Sequence, residues 1–177
     1  IVLIFILFLS SCGNRELKKE PPKVKKGILD LSNWNFKKDG HLNLEGRWLY
    51  YWKKEIGPKD ILEKGIPKGG TFIKVPGNWK GGKGEKVPLK GYATYLLKIK
   101  GLKKGLRLAL DAPRVFSSYK VHLLDGSIAK NLLTVGKFNS LEKKSIPQFK
   151  REKKAFKVES NTVFLIINIS NYHFRNG

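Results

Sequence analysis

The sequence predicts an all-β domain built as a jelly-roll sandwich, and three observations carry that prediction. Many short runs alternate apolar and polar residues, and turn signals built on Gly, Pro, Asn and Asp separate them at intervals of about ten residues. No stretch shows the period of a helix of ordinary length. The third observation is the segment Val163 to Ile167, five consecutive apolar residues with Ile169 two further on. It is too short to span a membrane and too β-branched for a good helix, so it reads as a strand buried on both faces, which needs a sheet on either side.

Taken in order, Gly27–Leu31 reads as a short opening strand, followed by a polar turn at Lys37–Gly40. His41–Trp52 is a long strand with Trp48, Tyr50 and Trp52 on one face and Leu49 and Tyr51 on the other. Aromatic residues at period two read as core packing, with sugar stacking the alternative. Asp60–Lys64 allows one helical turn inside a connection, and Phe72–Val75 is a strand stopped by Pro76. Gly77–Gly91 is a loop with five Gly, four Lys and one Pro. Tyr92–Lys100 turns Ala93, Tyr95, Leu97 and Ile99 inward; Leu106, Leu108 and Leu110 form the next inward row, and Tyr119, Val121 and Leu123 another. Asp125-Gly126 is a hairpin turn, and Ile128–Val135, Lys154–Val158 and the C-terminal apolar strand bring the number of strands to about nine.

With 177 residues, 41% of them hydrophobic, the chain has room for one domain with a real core. Its 36 Lys and Arg against 14 Asp and Glu give a net charge of +22, an attraction to polyanions that names no partner. Gly13–Lys26 holds six basic and two acidic residues, and the remaining charge is scattered and mostly Lys. Such scatter reads as a solvated surface and not as a nucleic-acid groove.

The chain opens with the apolar run Ile1–Leu9, then Ser10-Ser11-Cys12-Gly13, and has no Met at residue 1. A short apolar run, small residues and a Cys form the signature of a bacterial lipoprotein signal peptide, with an N-terminal core strand or a membrane anchor carrying an incidental Cys as the alternative; the run is well under the roughly twenty residues of a spanning helix. The expected organisation is a signal peptide over 1–11 that lacks its own start, a tether over 12–26 lipidated at Cys12, and a jelly-roll domain over 27–177 that is incomplete at its C-terminus. The single Cys allows no internal disulfide, and the tether, with Pro21-Pro22 among Lys and Glu, reads as extended.

Catalytic chemistry finds little to work with. Gly77–Gly84 matches the phosphate-loop pattern as far as Lys83, but Gly84 stands where a Ser or Thr should hold magnesium, and Pro88 stops the helix that should follow. His41, His122 and His173 lack a metal-ligand spacing. Asp111 and Asp125 fall at strand ends; they read as turn residues, with a carboxylate pair for glycoside cleavage or a calcium contact at Asp111 as alternatives. No catalytic residue, metal or cofactor is assigned. A sugar needs an apolar platform and planar hydrogen-bonding groups, and Trp79, Tyr92, Arg114, Tyr172 and His173 supply those types at loop or strand ends. Each has a structural alternative: Trp79 as a plug under its own loop, Tyr172 and His173 as a contact closing strand against rim, Arg114 as a partner of Asp111.

The series Leu44-Glu45-Gly46-Arg47-Trp48, Val75-Pro76-Gly77-Asn78-Trp79, Gly91-Tyr92-Ala93-Thr94-Tyr95, Ser118–His122 and Ile169–Gly177 resembles the N-terminal extracellular domain of bacterial seven-transmembrane receptors with diverse intracellular signalling modules. It is also similar to the non-catalytic sugar-binding domain of family 2 glycoside hydrolases. Both resemblances, covering about Gly27–Gly177, imply a galactose-binding-like jelly roll. The receptor resemblance implies a sensor of carbohydrate or another small polar ligand, coupled to a membrane bundle and a signalling module that this sequence does not contain. The expectation is a non-enzymatic, extracytoplasmic binding domain in the bacterial envelope, held at a membrane by its lipidated N-terminus and without a nucleic-acid partner. The alternatives are a module docking on anionic lipid or polysaccharide, and the accessory sugar-binding domain of a glycosidase.

Overall fold

The apolar C-terminal segment is the middle of the larger of two sheets. The computed structural model of the chain describes residues 19–77, 88, 90–115 and 117–174. Nine strands lie among them: β1 (Ile28–Asp30), β2 (Gly46–Trp52), β3 (Thr71–Val75), β4 (Gly91–Lys100), β5 (Arg107–Ala112), β6 (Ser118–Asp125), β7 (Ile128–Val135), β8 (Glu152–Lys157) and β9 (Thr162–Asn171). Two short α-helices, α1 (Phe36–Asp39) and α2 (Pro58–Lys64), and a 3-10 turn at Glu142–Lys144 interrupt them. The larger sheet runs β3-β2-β4-β9-β6-β7, and β5 pairs with β8 in a second, two-stranded sheet. The expected all-β sandwich is therefore formed. No helix among the described residues is long and apolar enough to cross a membrane.

β9 is antiparallel to β4 on one side, from Thr162 opposite Lys100 to Asn171 opposite Gly91, and to β6 on the other. Its alternation sends Val163, Leu165, Ile167 and Ile169 into the main core, where Leu108 and Leu110 of β5 and Phe156 of β8 close over them. Val163, Leu165 and Ile169 are buried and each stabilises the fold by about 2 kcal/mol, while Ile167 is only partly buried. Phe164 and Ile166 point the other way, into a smaller cluster with Tyr51, Ile56, Leu96, Leu124 and Ile61 of α2. The second face of β9 is thus covered by a short helix and its lead-in, where the sequence called for another sheet. β2 splits its aromatics as its period requires: Trp48, Tyr50 and Trp52 join the main core, and Leu49 and Tyr51 the smaller one.

Two features escaped the sequence patterns. β1 is parallel to β4, with Ile28 opposite Lys98, and occupies the place beside β4 that β2 vacates beyond Leu49. The chain before it is clamped to the start of β2 by Val24 N–H to Glu45 O at 2.8 Å and Arg47 N–H to Val24 O at 3.0 Å. That approach requires a glycine at 46: φ is +133°, and a Cβ there would lie 2.2 Å from the Val24 carbonyl oxygen. α1 replaces part of the expected polar turn because the Asn35 side chain accepts from the Lys37 and Lys38 N–H groups, at 3.0 and 3.3 Å.

Two buried polar groups pin the layers. Asn168 on β9 donates to the Ile56 carbonyl at 3.0 Å and to Thr94 Oγ1 at 2.9 Å, while Thr94 donates to the Lys54 carbonyl at 2.7 Å. The segment leading into α2 is thereby tied to the sheet it covers. Asp125, fully buried at the end of β6, accepts from the Glu159 N–H at 2.7 Å and from the Ser160 hydroxyl, with the Lys130 ammonium at 3.6 Å. Burial alone would push its carboxyl up, but these partners outweigh it and hold it below the ordinary 3.8.

Asp125→Asn is expected to lower the unfolding free energy at pH 7 by about 2 kcal/mol, measured by urea denaturation. A carboxyl whose folded value is depressed contributes fully above its unfolded value and loses that contribution as pH falls through the folded one. The wild-type chain should therefore lose stability more steeply than the variant below about pH 4.

Candidate functional site

The register fixes which segments share an end of the sandwich. Gly91 at the start of β4 lies opposite Asn171 at the end of β9, Ser118 opposite Ser170, and Tyr119 opposite Val135 at the end of β7. On the second sheet, Ala112 at the end of β5 faces Glu152 at the start of β8. Gln148 N–H donates to the Ser117 carbonyl at 2.8 Å and joins the two sheets' connections. One rim therefore gathers the β5–β6 connection, the long β7–β8 connection and the chain leaving β9.

The β7–β8 connection is anchored by neutral groups. The hydroxyls of Ser118, Ser145 and Ser170 form a buried triangle with sides of 2.9 to 3.1 Å. Lys137 and Ile146 exchange backbone hydrogen bonds of 2.8 and 3.0 Å, folding residues 137–146 into a narrow excursion. Gly136, at φ +64°, permits its start, since a Cβ there would sit 2.3 Å from the Ile146 carbonyl oxygen. Phe138 is buried edge-on against Tyr92, centroids 6.4 Å apart, with the Lys120 ammonium 5.5 Å from its ring centre.

Four of the six predicted site residues can be placed; Cys12 and Trp79 lie outside the described residues. Tyr92, Arg114, Tyr172 and His173 all come to this rim, but they do not have equal standing. Tyr172 is only 8% exposed, and its hydroxyl donates to the Ser140 carbonyl, so it is the contact that closes the strand against the excursion. Burial raises its phenol above the ordinary value, with further contributions from Tyr92 and Glu142. Tyr92 is half-buried under Phe138. Arg114 and His173 are exposed, and the Arg114 guanidinium lies 5.8 Å from the centre of the Phe149 ring. Beyond them Asn171 closes the turn, its side chain donating to the Phe174 carbonyl at 3.0 Å and accepting from the Phe174 N–H at 3.1 Å.

Two readings of the carboxylates are corrected. Asp111 is held by Arg151 and not by Arg114, through two bonds of 2.8 and 2.5 Å that keep its carboxyl below the ordinary range. Arg151 is better placed because it lies one residue before β8, whose Lys153 pairs with Asp111. Asp111 and Asp125 occupy opposite ends of the sandwich, each with its own partners, so they do not form a pair across one bond. His122 is half-buried in mid-β6, where burial and then Lys120 lower its basicity. Among the described residues no three His, Cys, Asp or Glu side chains assemble around a metal position.

Sequence patterns missed Phe149 at the rim, which sits in a polar stretch without alternation. They also missed a cleft of about 580 Å³ beside α1, lined by Lys19, Trp34, Asp39 and His41 among others. A second cleft, about 420 Å³, lies against α2 between Lys54, Asp60 and Pro67. Neither cleft includes a predicted site residue.

No family model matches the chain, and no curated protein matches it significantly. Solved structures similar to it include a GH2 β-galacturonidase from Eisenbergiella tayi bound to galacturonate, with 16% identity and a TM-score of 0.44 over 73% of this chain and 19% of that one. A β-glucuronidase from Ruminococcus gnavus in complex with uronic deoxynojirimycin is similar at 14% identity and a TM-score of 0.48, over 73% of this chain and 21% of that one. The chain thus spans about a fifth of either enzyme.

Tyr172→Phe should cost about 1 kcal/mol of stability and speed amide exchange across residues 137–146, because it frees the Ser140 carbonyl. His173→Ala, at an exposed position, should change stability by less than about 0.5 kcal/mol in the same denaturation measurement.

Proposed function

We propose that this domain is an extracytoplasmic binding module, the sensing part of a lipoprotein or receptor, that takes carbohydrate or another small polar ligand at the rim. The observation that carries the reading is the exposed Arg114 guanidinium over the Phe149 ring, on connections joined through Gln148, at the end of the sandwich where His173 also emerges. An aromatic ring offers a face to the C–H surface of a sugar. Guanidinium and imidazole offer planar, directional bonds to its hydroxyls or carboxylate. Neutral hydroxyl anchors and a two-sheet scaffold hold these groups in place before a ligand arrives, which limits the ordering cost of binding. Tyr172 and Tyr92 support the site from below and do not touch the ligand.

The Ser10-Ser11-Cys12-Gly13 sequence after an apolar run supports a lipid-anchored location in a bacterial envelope. The sequence resemblance to receptor extracellular domains supports a sensing role without catalysis. Trp79, which lies outside the described residues, is a further candidate for the platform by its residue type and its place in the sequence.

Calorimetric titration of the chain with a panel of neutral and acidic envelope sugars is expected to give saturable heat. Arg114→Ala and Phe149→Ala should each weaken it by about tenfold, equivalent to about 1.4 kcal/mol. A silent panel, or binding unchanged in both variants, overturns the reading.

A further inference from the structure

Residues 137–150 carry a combination that the fold does not require and that the ligand reading uses only at Phe149. Leu141 and Ile146 are each 57% exposed, and Phe149 is 51% exposed. Single exposed apolar residues are ordinary, and Ile28 and Ile128 at the opposite end are of that kind, while Leu62 and Ile66 make a pair at α2 without a third. Three within nine residues of one rigidly anchored connection are not. The same stretch holds Lys137, Lys143, Lys144 and Lys150 against one acidic residue, Glu142, which already faces Lys90 at 3.9 Å.

The anchoring sharpens the point. Phe138 and Ser145 face inward and are buried, and Tyr172 holds the Ser140 carbonyl, so residues 137–146 cannot fold Leu141 and Ile146 inward without breaking those contacts. The chain presents aliphatic side chains outward on a supported ridge flanked by ammonium groups. We propose that this excursion docks the domain on a bilayer surface bearing anionic phospholipid headgroups. Leu141 and Ile146 enter the headgroup–acyl boundary, while Lys137, Lys143 and Lys144 sit among the phosphates.

Charge and side-chain type select this occupant. An acidic polysaccharide would satisfy the lysines but leave Leu141 and Ile146 in water, since branched aliphatic groups offer no flat face to a sugar ring. A second copy of the chain meeting this ridge face to face would bring like-charged lysines together. The inference shares only Phe149 with the ligand reading; the groups it places at the bilayer, Leu141 and Ile146 with Lys137, Lys143 and Lys144, have no part in that reading.

The test places an environment-sensitive nitrobenzoxadiazole dye at Leu141→Cys in the full chain carrying Cys12→Ser, and at Ile128→Cys as the control from the opposite end. Vesicles of phosphatidylcholine with phosphatidylglycerol should blue-shift and brighten the dye at 141, vesicles of phosphatidylcholine alone should do so far less, and the dye at 128 should remain water-like. The double variant Lys143→Glu/Lys144→Glu should weaken the 141 response by at least about tenfold. Polygalacturonate should bind without a blue shift. A water-like dye at 141 on chain that co-sediments with the anionic vesicles, an equal shift at 128, or a blue shift on polygalacturonate overturns the proposal. Sugar titration by calorimetry reports on different residues, so either reading can fail while the other stands.

Discussion

The fold depends on burying β9 from both sides at once. A strand with apolar residues at nearly every position gains from its neighbours only if two separate layers meet it, and here those layers are unequal. The β5–β8 sheet covers one face, and a seven-residue helix with its lead-in covers the other. The lesser layer is too small to hold its place by apolar contact alone, which gives Asn168 and Thr94 their purpose. A carboxamide and a hydroxyl inside the sheet face would cost stability if unpaired; paired with the carbonyls of Lys54 and Ile56 they tie the cover down.

That constraint also decides which connections share one end of the sandwich. With β9 in the middle, the start of β4, the start of β6 and the end of β7 are drawn to the end where β9 leaves the core. The β7–β8 connection then has a buried floor of serine hydroxyls to fold onto, and its outward residues become the surface of the molecule at that end. The same connection supplies the ring beneath Arg114 and the exposed aliphatic ridge.

Much of this was legible because period two is a local signal. The division of Trp48, Tyr50 and Trp52 from Leu49 and Tyr51, the inward rows of β4, β5 and β6, and the Asp125-Gly126 hairpin are visible in single runs of residues. What could not be read depends on partners distant in sequence. β1 finds a place beside Lys98 only because β2 has turned away from β4, and no pattern in Ile28–Asp30 announces a parallel neighbour seventy residues on. Arg114 is the cation nearest Asp111 in the local sequence and offers itself as an alternative partner, but the antiparallel pairing of β5 with β8 delivers Arg151 from forty residues away. Tyr172 and His173 were equal candidates as adjacent residues. Packing separates them, burying one side chain and leaving the next in water.

The two ends of the sandwich are fastened by different chemistry. At the far end, a buried carboxylate joins the β6–β7 corner to the β8–β9 corner, and Asp30 meets Lys100 at 2.9 Å where β1 ends. At the rim, the fastening of residues 137–146 is made of serine and tyrosine hydroxyls that keep their protons from acid to mild alkali. Acidification therefore acts on the molecule unevenly: it neutralises Asp125 at the far corner and Asp111 beside Arg151, while the hydroxyl fastening of residues 137–146 carries no charge to lose.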